Sequence, residues 1–276
     1  MILKNLLHRC MAVVIATALL LSACQNGNKS VSKDQSKKDS LSASEISKSV
    51  KDVVYPLPTP FEMTRLLNDM GARYVFASLN PVEKADKYFT EKSKAVNLGV
   101  YTADLAYAAT YDQKQDVKLY SKALKKLIDQ LGINIDYSSM LSDEFKEKLN
   151  NKDTLVKIVS NTLFETYKYL NDKSNPDLAV MMVSGMWVEL MYISTNISED
   201  TYHNTGIVKL VISQKESYGK ILNLLEGRNS NKEIKQVEDQ LKVLKPIFEK
   251  TDNGLQEKDY MLILQTVKSI RKSFVS

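Results

Sequence analysis

The sequence predicts an all-α protein, a multi-helix antiparallel bundle or short irregular helical solenoid of about eight or nine helices. Three observations carry this. Apolar residues recur at intervals of three and four in one segment after another. Alternating apolar and polar runs of the β type are nearly absent, and the chain holds only 9 glycines in 276 residues. The connectors between periodic segments are short and polar: Asn150 to Asp153, Asp172 to Asn175 and Thr251 to Asn253. No fixed repeat marks a regular solenoid.

Taken in order, the folded part opens at Tyr55-Pro56-Leu57-Pro58-Thr59-Pro60, where each residue before a proline is pushed out of helical dihedrals and the chain must enter extended. Residues 55–276 are read as one all-helical domain. Thr59 can cap a helix whose first position is Pro60 and whose third is Glu62, a capping box with the favoured proline added. Asn80-Pro81-Val82-Glu83 repeats that pattern and predicts a second helix start. The stripe Val117, Tyr120, Leu124, Leu127, Leu131 ends at Gly132, a natural stop. Leu155, Val159, Phe164, Tyr167 and Leu170 form another. Ile207, Val211, Tyr218, Ile221 and Leu225 read as a further helix before Gly227. Ile234, Val237, Leu241, Leu244 and Phe248 follow a heptad rhythm that Pro246 should kink or end. Ile263, Val267, Ile270 and Phe274 close the series.

Two segments break the one-sided pattern and read as central helices. Ala95 to Ala109 is apolar or small on most faces and carries one charge, Asp104. Its Gly99, Ala103 and Ala106 would let a neighbouring backbone come close, while Asn97, Tyr101, Asp104 and Ala108 share another face whose polar groups need partners if buried. Leu178 to Ile193, opened by Asn175 as cap and Pro176 at the first helical position, carries only Ser184 and Glu189 as clearly polar side chains. Gly185, the lone Trp187 and Glu189 fall within about a turn, offering a small gap beside a large ring and an acid. One reading makes Asn97, Tyr101, Asp104, Trp187 and Glu189 the lining of a ligand pocket between these helices. The other makes the two acids structural, bonded to tyrosine hydroxyls or paired with a cation from a neighbouring helix, with Arg65 as one candidate.

The first residues supply an address. Lys4 to Arg9 precede a short apolar run that closes on Leu21-Ser22-Ala23-Cys24, which resembles the lipobox of bacterial lipoproteins. That resemblance implies removal of residues 1–23 and acylation of Cys24 through a thioether-linked diacylglycerol and an amide-linked fatty acid such as palmitate. Each buried CH₂ adds about 0.8 kcal/mol, so several chains hold what one would retain only transiently. The lipid bilayer is then the first partner. Residues 24–54, rich in Ser, Lys, Gln and Asn, read as a flexible tether spanning roughly 25 to 30 Å. Gln25 rather than Asp after the cysteine resembles the signal for the outer membrane of a Gram-negative bacterium. The strings Asn97-Leu98-Gly99-Val100-Tyr101-x-Ala103-Asp104-Leu105 and Gly185-x-Trp187-x-Glu189 resemble a family of uncharacterised bacterial lipoproteins, which implies an exported helical body and brings no catalytic residues with it.

Composition narrows the function classes. Losing Lys4 and Arg9 lowers the formal charge from +5 to +3, with 36 basic against 33 acidic side chains, and Lys alternates with Asp and Glu along almost every segment. A nucleic-acid binder would concentrate its positive charge, so no nucleic acid is expected as partner. His8 and Cys10 leave with the signal and Cys24 is acylated, so His203 is the one imidazole expected of the mature chain and its body is expected to hold no thiol. No Gly-x-Ser-x-Gly elbow, His-Glu-x-x-His pair, Walker loop, dinucleotide fingerprint or EF-hand loop can be read. The expectation is a non-enzyme without metal or cofactor. It is read as an envelope lipoprotein whose helical domain binds or scaffolds an envelope protein, the alternative being a small-ligand carrier using the helices of Asp104 and Glu189.

Overall fold

The computed structural model describes residues 59–137, Met140, 151–197, 201–228 and 231–276. The signal sequence, Cys24, the tether and the Tyr55–Pro58 entry lie outside these residues. Among the described residues there is no strand, and nine α-helices of nine residues or more are present. They are α1 (Pro60–Asp69), α2 (Glu91–Thr110), α3 (Lys114–Gln130), α4 (Lys152–Tyr169), α5 (Pro176–Asn196), α6 (Thr205–Ser213), α7 (Lys215–Glu226), α8 (Lys232–Lys242) and α9 (Glu257–Phe274). A single helical turn, Lys245–Phe248, lies between α8 and α9.

The caps explain several starts. Thr59 and Glu62 form the reciprocal box: the Thr59 hydroxyl accepts from the Glu62 N–H at 3.3 Å, and the Glu62 carboxylate accepts from the Thr59 N–H at 2.8 Å. Asn175 accepts from the Asp177 N–H at 3.1 Å and opens α5 with Pro176 behind it. At Asn80–Glu83 the expected box does not form. Val82–Lys87 is a short 3₁₀ helix without a side-chain cap, because the Asn80 amide turns inward and donates to the Tyr88 hydroxyl at 2.9 Å. The true start of α2 lies at Thr90, whose side chain exchanges bonds with Ser93. Gly132 stops α3 with φ +65° and a bond from the Ile133 N–H to the Ile128 carbonyl at 3.1 Å. The stripe Ile207 to Leu225 is not one helix: it divides at Gln214, buried between α6 and α7, while its apolar residues keep one inward face. The next stripe ends its long helix at Lys242, and Pro246 sits in the first turn of the single-turn helix that follows.

Helices α2 and α5 form the centre. Every residue of α2 from Ala95 to Thr110 is buried, as is every residue of α5 from Leu178 to Met191. The two backbones touch. A Cβ added at Gly99 would lie 1.9 Å from the Met182 carbonyl oxygen, and one at Gly185 would lie 2.0 Å from that of Val96. The gap read beside Trp187 at Gly185 is therefore filled by the main chain of α2. Helix α5 is long and apolar enough to cross a membrane, with mean hydropathy 1.4, yet 94% of that stretch is buried inside the protein. It is a core helix, and α1, α6, α7, α8 and α9 all pack against it.

Residues 71–90, joining α1 to α2, run along α2 as an irregular strap. The strap starts beside Tyr111 near the C-terminal end of α2 and finishes at its N-terminal cap. On one side it is tied to α3, where Tyr74 donates to Asp116 at 2.8 Å. On the other it meets α9, beyond which the Lys84 ammonium donates to the Val275 carbonyl at 2.7 Å.

Candidate functional site

Beneath the strap lies the polar face of α2 noted in the sequence. Where an irregular segment turns its backbone groups toward the core, they must find partners outside the segment, and here side chains of α2 and α3 supply them. Tyr111 donates to the Ala72 carbonyl at 2.9 Å. Tyr107 donates to the Arg73 carbonyl at 3.1 Å and accepts from the Val75 N–H at 3.0 Å. Tyr101 donates to the Pro81 carbonyl at 2.8 Å, and Tyr120 of α3 donates to the Asn80 carbonyl at 3.1 Å. Burial raises these phenols well out of their ordinary range, Tyr107 to about 12, so they stay protonated donors. Their rings also pack together, Tyr74 stacking on Tyr107 at 4.9 Å between centroids and Tyr107 meeting Tyr111 at 4.8 Å.

Asp104 and Glu189 are both fully buried, and both meet Arg271 of α9. Arg271 grips Glu189 with two forks, Nε to Oε2 at 2.6 Å and Nη2 to Oε1 at 2.7 Å. The same Nη2 donates to the Ser78 carbonyl of the strap at 3.0 Å, and the guanidinium lies 4.0 Å over the Tyr192 ring. Asp104 Oδ2 accepts from the Asn80 N–H at 3.2 Å. Among the described residues its Oδ1 meets no donor, and the neighbouring side chain is a second acceptor, Glu189. Burial first, and then the Glu189 carboxylate, push the Asp104 carboxyl far above the usual carboxylate range, against the opposing pull of Arg271 and the Asn80 N–H.

Of the five residues read as a pocket lining, the structure brings Asp104 and Glu189 together and places Tyr101 beside them under the strap. Asn97 is turned to the far end of α9, donating to the carbonyls of Ser93 at 2.8 Å and Phe274 at 2.7 Å. Trp187 belongs to a separate aromatic cluster with Tyr218 and Phe248, at 5.7 and 6.3 Å. Two residues along a helix turn about 200°, so Trp187 and Glu189 cannot share a face. The cation is Arg271; Arg65, the candidate read from sequence, pairs instead with Asp69 at 3.9 Å on the surface. Arg271 escaped the reading although it left a signal: it stands four residues after Val267 and three before Phe274, on the buried stripe of α9.

Elsewhere, His203 is exposed just before α6 with its ring edge-on to Tyr202. Among the described residues no three His, Cys, Asp or Glu side chains gather where they could hold a metal. Two surface grooves meet at Ser273. One, of about 350 Å³, lies between the start of α2 and the ends of α8 and α9, at Lys92, Gln236 and Phe274. The other, of about 370 Å³, runs between α8 and α9 over Gln240, Val243, Leu262, Gln265, Thr266, Ser269 and Ile270, with no charged side chain among the described residues that line it. Val243 and Leu262 there are about half exposed, at 56% and 47%. The chain matches no protein-family model, no curated protein sequence and no solved structure.

Proposed function

We propose that this protein is a lipid-anchored lipoprotein of the cell envelope, held at the outer membrane through acylated Cys24, and that its helical body is a non-enzymatic binding or scaffolding domain. The observation that carries the anchor is Leu21-Ser22-Ala23-Cys24 behind a basic start and an apolar run. Support for a binding body, rather than a carrier of small ligands, comes from the interior. The acids that a carrier would use are committed to Arg271 and to the backbone of the strap, and the space between α2 and α5 is closed by main chain at Gly99 and Gly185. The uncharged groove between α8 and α9 is the partner-facing surface: in a chain with 26% charged residues, an uncharged lining with exposed Val243 and Leu262 suits a protein partner.

Two measurements test the two halves. Growth with a clickable fatty acid should label the protein and leave Cys24→Ser unlabelled; a wild-type protein that takes up no label removes the anchor. A photo-crosslinking amino acid at Leu262 should trap a discrete envelope protein, while the same probe at exposed Lys122 should not. Equal patterns from both positions would remove the assignment of this groove.

A further inference from the structure

Asp104 is a buried carboxyl with one oxygen satisfied and one facing an acceptor. The Nε and Nη2 donors of Arg271 go to Glu189 and Ser78, and among the described residues Asp104 Oδ1 meets no donor, so the guanidinium offers that oxygen charge but no hydrogen bond. Around Asp104 stand Asn80, Tyr74 and Tyr88 of the strap, Tyr101 of its own helix, Tyr120 of α3, Glu189 of α5 and Arg271 of α9. One cation thus faces two acids. A buried site of that composition is neutral when one acid is protonated, and a proton on Asp104 Oδ1 turns an acceptor–acceptor contact into a bond to Glu189.

We propose that Asp104 carries a proton which it donates to Glu189, and that this single proton latches the strap: while it is bound the strap stays closed, and its loss opens residues 71–90. Ionised Asp104 leaves an uncompensated buried charge that only water can relieve. The covers available are helices locked by their own hydrogen bonds and the strap, which is held largely by bonds to side chains, one of them the Asn80 N–H bond to Asp104 itself. The strap is therefore the layer that lifts.

Infrared difference spectra of the full-length protein, with and without ¹³C-aspartate, should show a protonated aspartyl C=O band at neutral pH that shifts with the label and disappears as pH rises. Absence of that band at neutral pH overturns the proposal without recourse to any variant. The latch itself is read by trypsin cleavage after Arg73 and Lys87, both exposed on the strap. Asp104→Asn keeps a donor toward Glu189 and an acceptor for the Asn80 N–H without a proton to lose. Wild-type cleavage relative to this variant should climb about tenfold per pH unit from about pH 4, the value of an aspartate freed by opening, up to the titration of Asp104 in the closed protein, and level off above it. A ratio that stays flat all the way from about pH 4 to the pH at which the infrared band is lost refutes the latch and leaves only the proton.

Discussion

A single methyl group at Gly99 tests the centre of the fold. In Gly99→Ala the new Cβ would stand 1.9 Å from the Met182 carbonyl oxygen and 2.7 Å from the Met186 amide nitrogen, both backbone atoms in the middle of α5. Ordinary contact for a Cβ begins at 3.4 Å, so α2 and α5 must part by about 1.5 Å. Neither side can yield by a rotamer change. A radial gap of 0.5 to 1 Å already forfeits about a quarter to a half of a contact's dispersion energy, and both helices are buried along most of their length. Overpacking usually costs about 1 to 3 kcal/mol when side chains can adjust; with backbone against backbone the expected loss is about 3 to 5 kcal/mol, a large part of a typical stability of 5 to 15 kcal/mol. Gly219→Ala is the control. Gly219 lies inside α7 with open space where a Cβ would go, so alanine should stabilise by roughly 0.5 to 1 kcal/mol through helix propensity. Urea unfolding followed by circular dichroism reads both, as shifts of midpoint at unchanged slope. A Gly99→Ala protein within 1 kcal/mol of wild type, or a Gly219→Ala protein equally weakened, would refute this account of the core. Because Gly99 and Gly185 serve one crossing, the double alanine variant should lose less than the sum of the singles.

Other outcomes follow from the triad and the caps. Arg271→Met should cost about 3 to 5 kcal/mol in the same assay by stranding Glu189, and adding Glu189→Met should restore most of it, since an apolar pair often replaces a buried ion pair without loss. Asp104 binds its proton more tightly folded than unfolded. Its contribution to stability is therefore full below about pH 4, the unfolded aspartate value, and drains away as pH rises toward the folded one, at about 1.4 kcal/mol per unit. Wild type minus Asp104→Asn should show that falling slope from about pH 5 upward until the folded-state titration is passed, and a difference rising with pH would contradict it. Asp112 ends α2 with φ +56°, a left-handed conformation that suits glycine, so Asp112→Gly should raise the unfolding midpoint by the equivalent of up to about 1 kcal/mol.

What could be read from the sequence was what neighbours along the chain determine. The stripes of α3, α4, α8 and α9 are local spacing, and the structure buries nearly all their members. The polar face Asn97, Tyr101, Asp104 was legible for the same reason. Its occupant was not, because the strap binds through main-chain N–H and C=O groups, which every residue carries and no sequence pattern marks. Arg271 lies 82 residues from Glu189, and an ion pair at that separation has no periodicity to betray it. Asn80 looked like a helix cap because Pro81, Val82 and Glu83 follow it in the right order; the burial of Tyr88 beside it decided otherwise. At Gln214 the apolar rhythm runs on across a break in the helix, and rhythm alone cannot register a change of axis.

The clamp on Ser78 and Glu189 comes from a residue translated long after both. During synthesis, Ser78 and Glu189 emerge well before position 271, so the guanidinium that joins them reaches its place last. Closure of the interior is thus a late, long-range event, and any chain interrupted upstream of Arg271 is left with a charged, unsealed centre that quality-control proteases can recognise.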